Sequence, residues 1–174
     1  MPHRFDPTIL REYDIRGIVG TTLFPADAHA VGRLFATVLA EAGGHRAAVG
    51  YDGRLTSPEF EAALVEGLAE GGADVVRIGR GPTPMLYYAA ATPGDYGGVD
   101  GGIMVTGSHN PPDHNGFKIV LGGKPFFGEA IQKLEGMALA LGPAGGPRGR
   151  VAEHSVFDAY VARLGRDYDG TRAL

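Results

Sequence analysis

The sequence predicts a single α/β/α domain: a mixed, mostly parallel sheet with helices on both faces. Three observations predict it. Short apolar runs of strand length alternate with longer stretches whose apolar residues recur every three or four positions. The chain is 174 residues long, the size of one domain, and many of its 29 glycines stand at the ends of those segments, where turns need them. Parallel strands need crossover connections, and helices supply them while covering the sheet. A chain of this length buries roughly two-thirds of its unfolded surface, enough for one real core.

The elements follow in order. From Ala26 to Ala42, Val31, Leu34, Phe35, Val38 and Leu39 fall on one helical face, and Gly43-Gly44 supplies a stop. Arg46 to Tyr51 is an apolar run suited to a buried strand, followed by Asp52-Gly53-Arg54 as a turn. Ser57 is the expected N-cap of a second helix with Pro58 at its first position; Phe60, Ala63, Leu64 and Leu68 form its stripe and Gly71-Gly72 its end. Asp74 to Ile78 reads as a strand, and a third helix carries Met85 to Ala91 after Pro82-Thr83-Pro84. Gly101 to Thr106 is a glycine-led buried strand. Gly116 to Leu121 is its expected antiparallel neighbour, because the loop between them is too short for a helical crossover. Phe127, Ile131, Leu134, Met137 and Leu141 mark a further helix, Gly142 to Arg150 a Gly/Pro-rich connector, and Phe157, Tyr160, Val161, Leu164 and Tyr168 a last helix. The expected division is a domain over 1–153 and, over 154–174, a helix leading onward.

Composition excludes several classes of function. Without cysteine there are no disulfides, thiolate nucleophiles or cysteine zinc sites. A net charge of −4, with no run of five basic residues, leaves no electrostatic footprint for nucleic acid. No apolar stretch is long enough to span a bilayer and the first residues lack a signal-peptide core, so the expected location is the cytoplasm, with no membrane partner.

The chemistry is concentrated where a buried strand runs into a polar turn, Gly102-Ile103-Met104-Val105-Thr106-Gly107-Ser108-His109-Asn110-Pro111. The carboxyl ends of parallel strands are where open α/β sheets bind ligands, and Ser108 stands at such an end. Acyl chemistry by a serine triad is not indicated. Gly-x-Ser-x-Gly is absent, and adjacency in sequence does not by itself bring the His109 ring to the serine oxygen. Read alone, Ser-His-Asn-Pro is also what an ordinary Asx or Ser/Thr turn uses.

The whole ten-residue stretch resembles the active-serine signature of the α-D-phosphohexomutases, the family of phosphomannomutases and phosphoglucomutases. Three further segments match in the same order: Glu12-Tyr13-Asp14-Ile15-Arg16-Gly17, Gly50-Tyr51-Asp52-Gly53-Arg54 and Asn115-Gly116-Phe117-Lys118. Their forms are closer to the bacterial phosphomannomutase/phosphoglucomutase group than to phosphoglucosamine mutases. The resemblance implies a reversible phosphomutase reaction in which phosphorylated Ser108 donates its phosphoryl group to a hydroxyl of a hexose phosphate. The bisphosphosugar then turns over and returns its other phosphate, so that phosphate moves between C1 and C6. Mg²⁺ and a hexose 1,6-bisphosphate activator are the implied cofactors, with Ser108 reaching the metal through its phosphate.

Such chemistry is charge handling, because the transition state spreads negative charge over several oxygens. Arg16 offers a planar fork for phosphoryl oxygens. Lys118 is expected to stabilise charge or move a proton, and His109 to contact the phosphoryl group or orient the loop. Asn110 reads as a loop brace; Tyr13 and Arg54 are expected either to touch substrate or to support residues that do. For Asp52-Gly53-Arg54 a plain turn is an equally good reading.

The family protein has three further domains after this one. Its metal loop of Asp-Gly-Asp-x-Asp-Arg form and its sugar loop of Gly-Glu-x-Ser-Gly form do not occur here. Asp167-Tyr168-Asp169-Gly170-Thr171-Arg172 is a decoy for the metal loop, with Thr171 in place of the third carboxylate and a helical stripe instead of a strand before it. The isolated chain is therefore expected to lack mutase turnover. A module that binds phosphosugars without turning them over is the alternative. A dinucleotide-binding domain is disfavoured, because Gly79-Arg80-Gly81-Pro82-Thr83-Pro84 has proline where a third glycine is needed.

Overall fold

The structure is a computed structural model that describes residues 2–168 and 170. Its elements, in chain order, are β1 (Ile15–Ile18), α1 (Pro25–Glu41), β2 (Arg46–Tyr51), α2 (Ser57–Glu70), β3 (Asp74–Arg80), α3 (Thr83–Ala91), β4 (Gly101–Val105), β5 (His114–Leu121), β6 (Lys124–Phe126), α4 (Glu129–Leu139), β7 (Val151–Glu153) and α5 (Phe157–Asp167). The seven strands form one sheet in the order β1-β5-β4-β2-β3-β7, with β6 also paired to β5. β4, β2, β3 and β7 are mutually parallel, while β5 is antiparallel to β1, β4 and β6, so β5 alone runs against the other strands.

Alternation along the strands builds the two cores. Ala47, Val49, Val75, Ile103, Val105, Phe117 and Ile119 face the side covered by α1, α2 and α4. Ala48, Val76, Ile78, Met104 and Val120 face the other side, where Met85, Leu86 and Ala89 of α3 pack on them together with Val156. Successive side chains on a strand point to opposite faces, so strands apolar at every position can only be buried on both. This is the expected α/β/α layering. β5 is packed on both faces at its far end: Val120 is buried as firmly as Ile119, because α3 covers that stretch of the second face.

Three strands were not legible in sequence. β1 and β7 have four and three residues and β6 three, too short to show a period of two. The cap expected at Ser57 is also corrected. Thr56 takes the cap position, Ser57 opens the helix, and the Ser57 hydroxyl donates to Asp52 Oδ1 at 2.6 Å rather than capping a helix N–H. Phe127 lies outside α4 and stacks on Tyr13. Asp167 ends α5, and Asp169, Thr171 and Arg172 of the decoy lie outside the described residues. No helix among the described residues is long and apolar enough to cross a membrane.

α1 and α2 approach closely enough that two glycines form the contact. A Cβ on Gly32 would overlap the Leu64 carbonyl oxygen, and one on Gly67 the His29 carbonyl oxygen. Backbone cannot yield as a side-chain tip does, so Gly67→Ala should destabilise the chain by about 2–3 kcal/mol, the upper range of overpacking. Gly136→Ala, with no atom near its Cβ inside α4, should instead stabilise by roughly 0.5–1 kcal/mol. Urea unfolding midpoints of the two variants test the opposite signs.

Candidate functional site

The site is assembled on the second face of β1 and β5, on the stretch beyond the part of β5 that α3 covers at Val120. Arg16 on β1 lies opposite Gly116 on β5, so Arg16 and Lys118, two residues further along β5, share one face. Asp14, just before the paired segment, falls level with Lys118 on that face. β4 ends at Val105, and the turn that follows carries Ser108 over the same region. The result is an open cavity of about 350 Å³ lined by Arg11, Glu12, Tyr13, Asp14, Arg16, Ser108, His109, Asn110 and Lys118. Larger hollows exist elsewhere, for example one lined by His45, Asp74 and Arg150. There Asp74 and Arg150 are already paired with each other at 2.8 Å, and no side-chain hydroxyl lines the hollow.

Ser108 is the one non-glycine residue among those described that has positive φ, at 52°. A left-handed serine costs of order 1–3 kcal/mol and persists only where its surroundings over-determine it. Here they do. The Ser108 amide donates to Thr106 Oγ1 at 2.8 Å, and the Asn110 amide donates to the Gly107 carbonyl at 3.0 Å, with Asn110 Nδ2 on the same oxygen at 3.2 Å. Arg54 reaches across from the β2–α2 turn. Its guanidinium donates to the carbonyl oxygens of Asn110 and Pro111 at 2.7 and 2.6 Å, His114 at 3.0 Å and Ser108 at 3.2 Å. Gly107 is required beneath that fork, since a Cβ there would overlap the Arg54 guanidinium. Arg54 is thus a brace of the serine turn, which joins the turn reading of Asp52-Gly53-Arg54 to the supporting role.

Asp52 secures the other end of the brace. Its Oδ2 accepts the Gly107 amide at 3.0 Å and lies 3.4 Å from Arg54 Nε, while its Oδ1 accepts the Ser57 hydroxyl and the Arg54 amide. Asn115, at the start of β5, donates to the hydroxyls of Thr56 and Ser57, tying that strand to the same network. Burial raises the pKa of Asp52, but the hydrogen bonds from Ser57, the Arg54 amide, Thr106 and the Gly107 amide together outweigh it and hold the carboxyl below its ordinary value.

Arg16 is 2% exposed, an unusual place for a guanidinium. It donates to the Gly107 carbonyl and, at 2.5 Å, to Asp14 Oδ2, and its Nε is buried without a partner. Lys118 Nζ lies 3.3 Å from that same Asp14 oxygen. Lys118 therefore faces a carboxylate. His109 Nδ1 stands 3.3 Å from Ser108 Oγ, so neighbouring positions in sequence do meet here. Tyr13 is exposed on the rim. Every residue expected at the site except Arg54 lines the cavity, and Arg54 supports its serine.

Sequence reasoning missed three contributors: Asp14, Asp52 and Thr106. Asp14 and Asp52 sit inside motifs already noted, two residues before an arginine in each case. Without β1 and its register there was no reason to place Asp14 beside Lys118. No group of three or more His, Cys, Asp or Glu among the described residues could hold a metal ion. Of the two carboxylates on the cavity, Glu12 and Asp14, Asp14 is already committed to two cations, so the residues present do not fit Mg²⁺ by themselves.

Asp52→Asn replaces one of the two acceptor oxygens that hold the Gly107 amide, the Arg54 amide and the Ser57 hydroxyl with a donor, and should cost about 1–2 kcal/mol at pH 7, a range that allows for partial solvation. Because the folded pKa is lowered, the wild-type advantage should be complete at neutral pH. It should then shrink as pH falls below the ordinary aspartate value of about 4 and through the folded one. Urea unfolding of both proteins across pH 2.5 to 7, ranges roughly bracketing that value, measures the convergence.

Comparison with known proteins gives a consistent result. The chain is 44% identical over 157 residues to the phosphoglucomutase of Neisseria meningitidis serogroup B, a match covering 90% of this chain and 33% of that protein. It is 46% identical over 129 residues to the phosphomannomutase/phosphoglucomutase of Pseudomonas aeruginosa, covering 73% of this chain and 27% of that one. A crystal structure of a phosphoglucomutase/phosphomannomutase family protein from Burkholderia thailandensis superposes with a TM-score of 0.90 at 41% identity, over 97% of this chain and 37% of that one. The chain thus spans about a third of the length of the curated relatives it matches. With residues 7–142 matching the family described as phosphoglucomutase/phosphomannomutase, alpha/beta/alpha domain I, the chain belongs to that family.

Proposed function

We propose that this chain is the N-terminal, phosphoryl-carrying domain of a phosphomannomutase/phosphoglucomutase, with Ser108 as the carrier. The observation behind the reading is the cavity that gathers a left-handed serine with Arg16, Lys118 and His109. In the forward step the Oγ–phosphorus bond of phosphorylated Ser108 breaks, with Oγ taking up a proton from an acid in the cavity, and a phosphorus–oxygen bond forms to a free hydroxyl of a hexose phosphate, whose proton passes to a base there. In the return step the Ser108 hydroxyl attacks the other phosphate of the bisphosphosugar, and the bond between that phosphorus and its sugar oxygen breaks as the sugar oxygen takes up a proton. His109 Nδ1, 3.3 Å from Oγ, is placed to take the hydroxyl proton, and such contacts tighten once substrate is bound. Lys118 stabilises the charge that spreads over the phosphoryl oxygens, and Arg16, buried beneath the serine turn, adds its charge from behind.

Mg²⁺ would supply further stabilisation of that charge in the intact enzyme, with the Ser108 phosphate as one ligand and hard oxygens from outside this chain as the others. Residues 154–174 are read as the connection to a second domain. α5 supports this, since none of its residues is fully buried and Phe157, Val161 and Leu164 remain exposed along it. With three further domains in place, the sugar and its distal phosphate would be held for in-line attack, a contribution that can reach about 7–11 kcal/mol.

Two measurements test the proposal. Incubation with a hexose 1,6-bisphosphate and Mg²⁺ should add the mass of one phosphoryl group to the chain and none to Ser108→Ala; an unchanged mass would remove Ser108 as carrier and leave a module that only binds phosphosugars. A coupled assay with mannose 1-phosphate or glucose 1-phosphate should find no appreciable turnover by the isolated chain. Ser108-dependent turnover approaching about 1 s⁻¹, within the ordinary enzyme range, would show that the chain needs no further domains.

A further inference from the structure

We infer that Asp14 is a positioning residue that competes with the phosphoryl group for Lys118: it keeps Lys118 paired while Ser108 is bare and releases it when a phosphoryl dianion occupies the cavity. This rests on the reading of Ser108 as phosphoryl carrier.

The two cations on Asp14 Oδ2 are held unequally. Arg16 is 2% exposed and contacts that oxygen at 2.5 Å. Its other donors have little choice, since one terminal nitrogen is given to the Gly107 carbonyl and Nε is buried without a partner. Removing the carboxylate would leave a desolvated guanidinium uncompensated, which is strongly destabilising. Arg16 therefore keeps Asp14.

Lys118 differs on each count. Its side chain is 27% exposed, its contact is longer at 3.3 Å, and Asp14 is the one ion-pair partner it has among the described residues. An ammonium on a four-carbon stem is a compact charge with no fixed fork, so it can turn from one oxygen to another without losing geometry. Asp14, Ser108 and Lys118 line the same cavity. A phosphoryl group on Ser108 Oγ brings nearly two negative charges, against one on Asp14. Lys118 gains by the exchange, and Asp14 remains neutralised by Arg16.

The exchange has a functional consequence. A phosphoryl group must be bound on Ser108 tightly enough to be steadied and loosely enough to be passed back to the sugar. Asp14 weakens its hold by offering Lys118 an alternative partner. Without Asp14, Lys118 would remain on the phosphate, and release would be slower.

The test uses this chain and inorganic phosphate, followed by NMR, which reads weak binding. D14N should tighten phosphate binding by about fivefold, the size of one unit-charge interaction near solvated surface. In a K118M background the same change should tighten it by less than about twofold, because no exchange partner remains. In the parent chain the Lys118 Nζ and Cε signals should shift at saturating phosphate while the Arg16 guanidinium signals stay in place. Unchanged or weaker binding by D14N, or an equal gain in the K118M background, overturns the inference. If D14N does not fold, the parent chain decides: Lys118 signals that give no saturable response to phosphate overturn it. Failure of Ser108 to take up a phosphoryl group in the mass experiment strikes the carrier reading itself, whereas failure of D14N in a chain that does take it up strikes only Asp14.

Discussion

A serine turn that leaves a parallel strand in a left-handed conformation has nothing of its own to keep it there. Its carbonyl oxygens point away from any ladder, and the backbone geometry is unfavourable for a residue with a Cβ. In this domain the difficulty is met by a guanidinium from a different crossover. Arg54 takes up carbonyl oxygens of Ser108, Asn110, Pro111 and His114, and Asp52 holds the Gly107 amide from the same three-residue stretch. The position of Ser108 Oγ, and everything the cavity can do, depends on that brace.

The brace explains why the β2–α2 turn is built as it is. Asp52 and Arg54 need to stand at the carboxyl end of β2, next to the carboxyl end of β4, and the parallel pairing of those strands supplies the adjacency. Ser57 is drawn away from a capping role because its hydroxyl completes Asp52's set of donors. Asn115 extends the same network to the start of β5. One polar cluster thus fixes the ends of three strands relative to one another.

The single antiparallel strand does the remaining work. Because β5 runs against β4, the chain can return after a short turn and place Lys118 beside the serine it has just left. Because β1 pairs with β5, Arg16 and Asp14 arrive on the same face from more than ninety residues away in sequence. On the second face α3 covers the sheet as far as Val120 of β5 and stops short of Lys118 and Arg16, which leaves this corner open to a ligand. Arg16 is buried there beneath the serine turn, and its desolvated charge is what commits Asp14 to it.

The sequence by itself determined the α/β/α class, the order of the major helices and strands, and the serine turn with its candidate cations. These are local properties: a period of 3.6 or 2 is written in neighbouring residues, and a turn needs its glycine and proline at fixed positions. Tertiary structure alone decided that Arg54 braces the serine and that Ser57 serves Asp52. It also decided that Asp14 stands between Arg16 and Lys118. The contacts of Arg54 with Ser108 and of Asp14 with Lys118 join residues 54 and 104 positions apart, and the second depends on β1, a strand of four residues that carries too few positions for a periodic signal. Register, which assigns each side chain to a face and a neighbour, is a property of the paired sheet and of no segment taken alone.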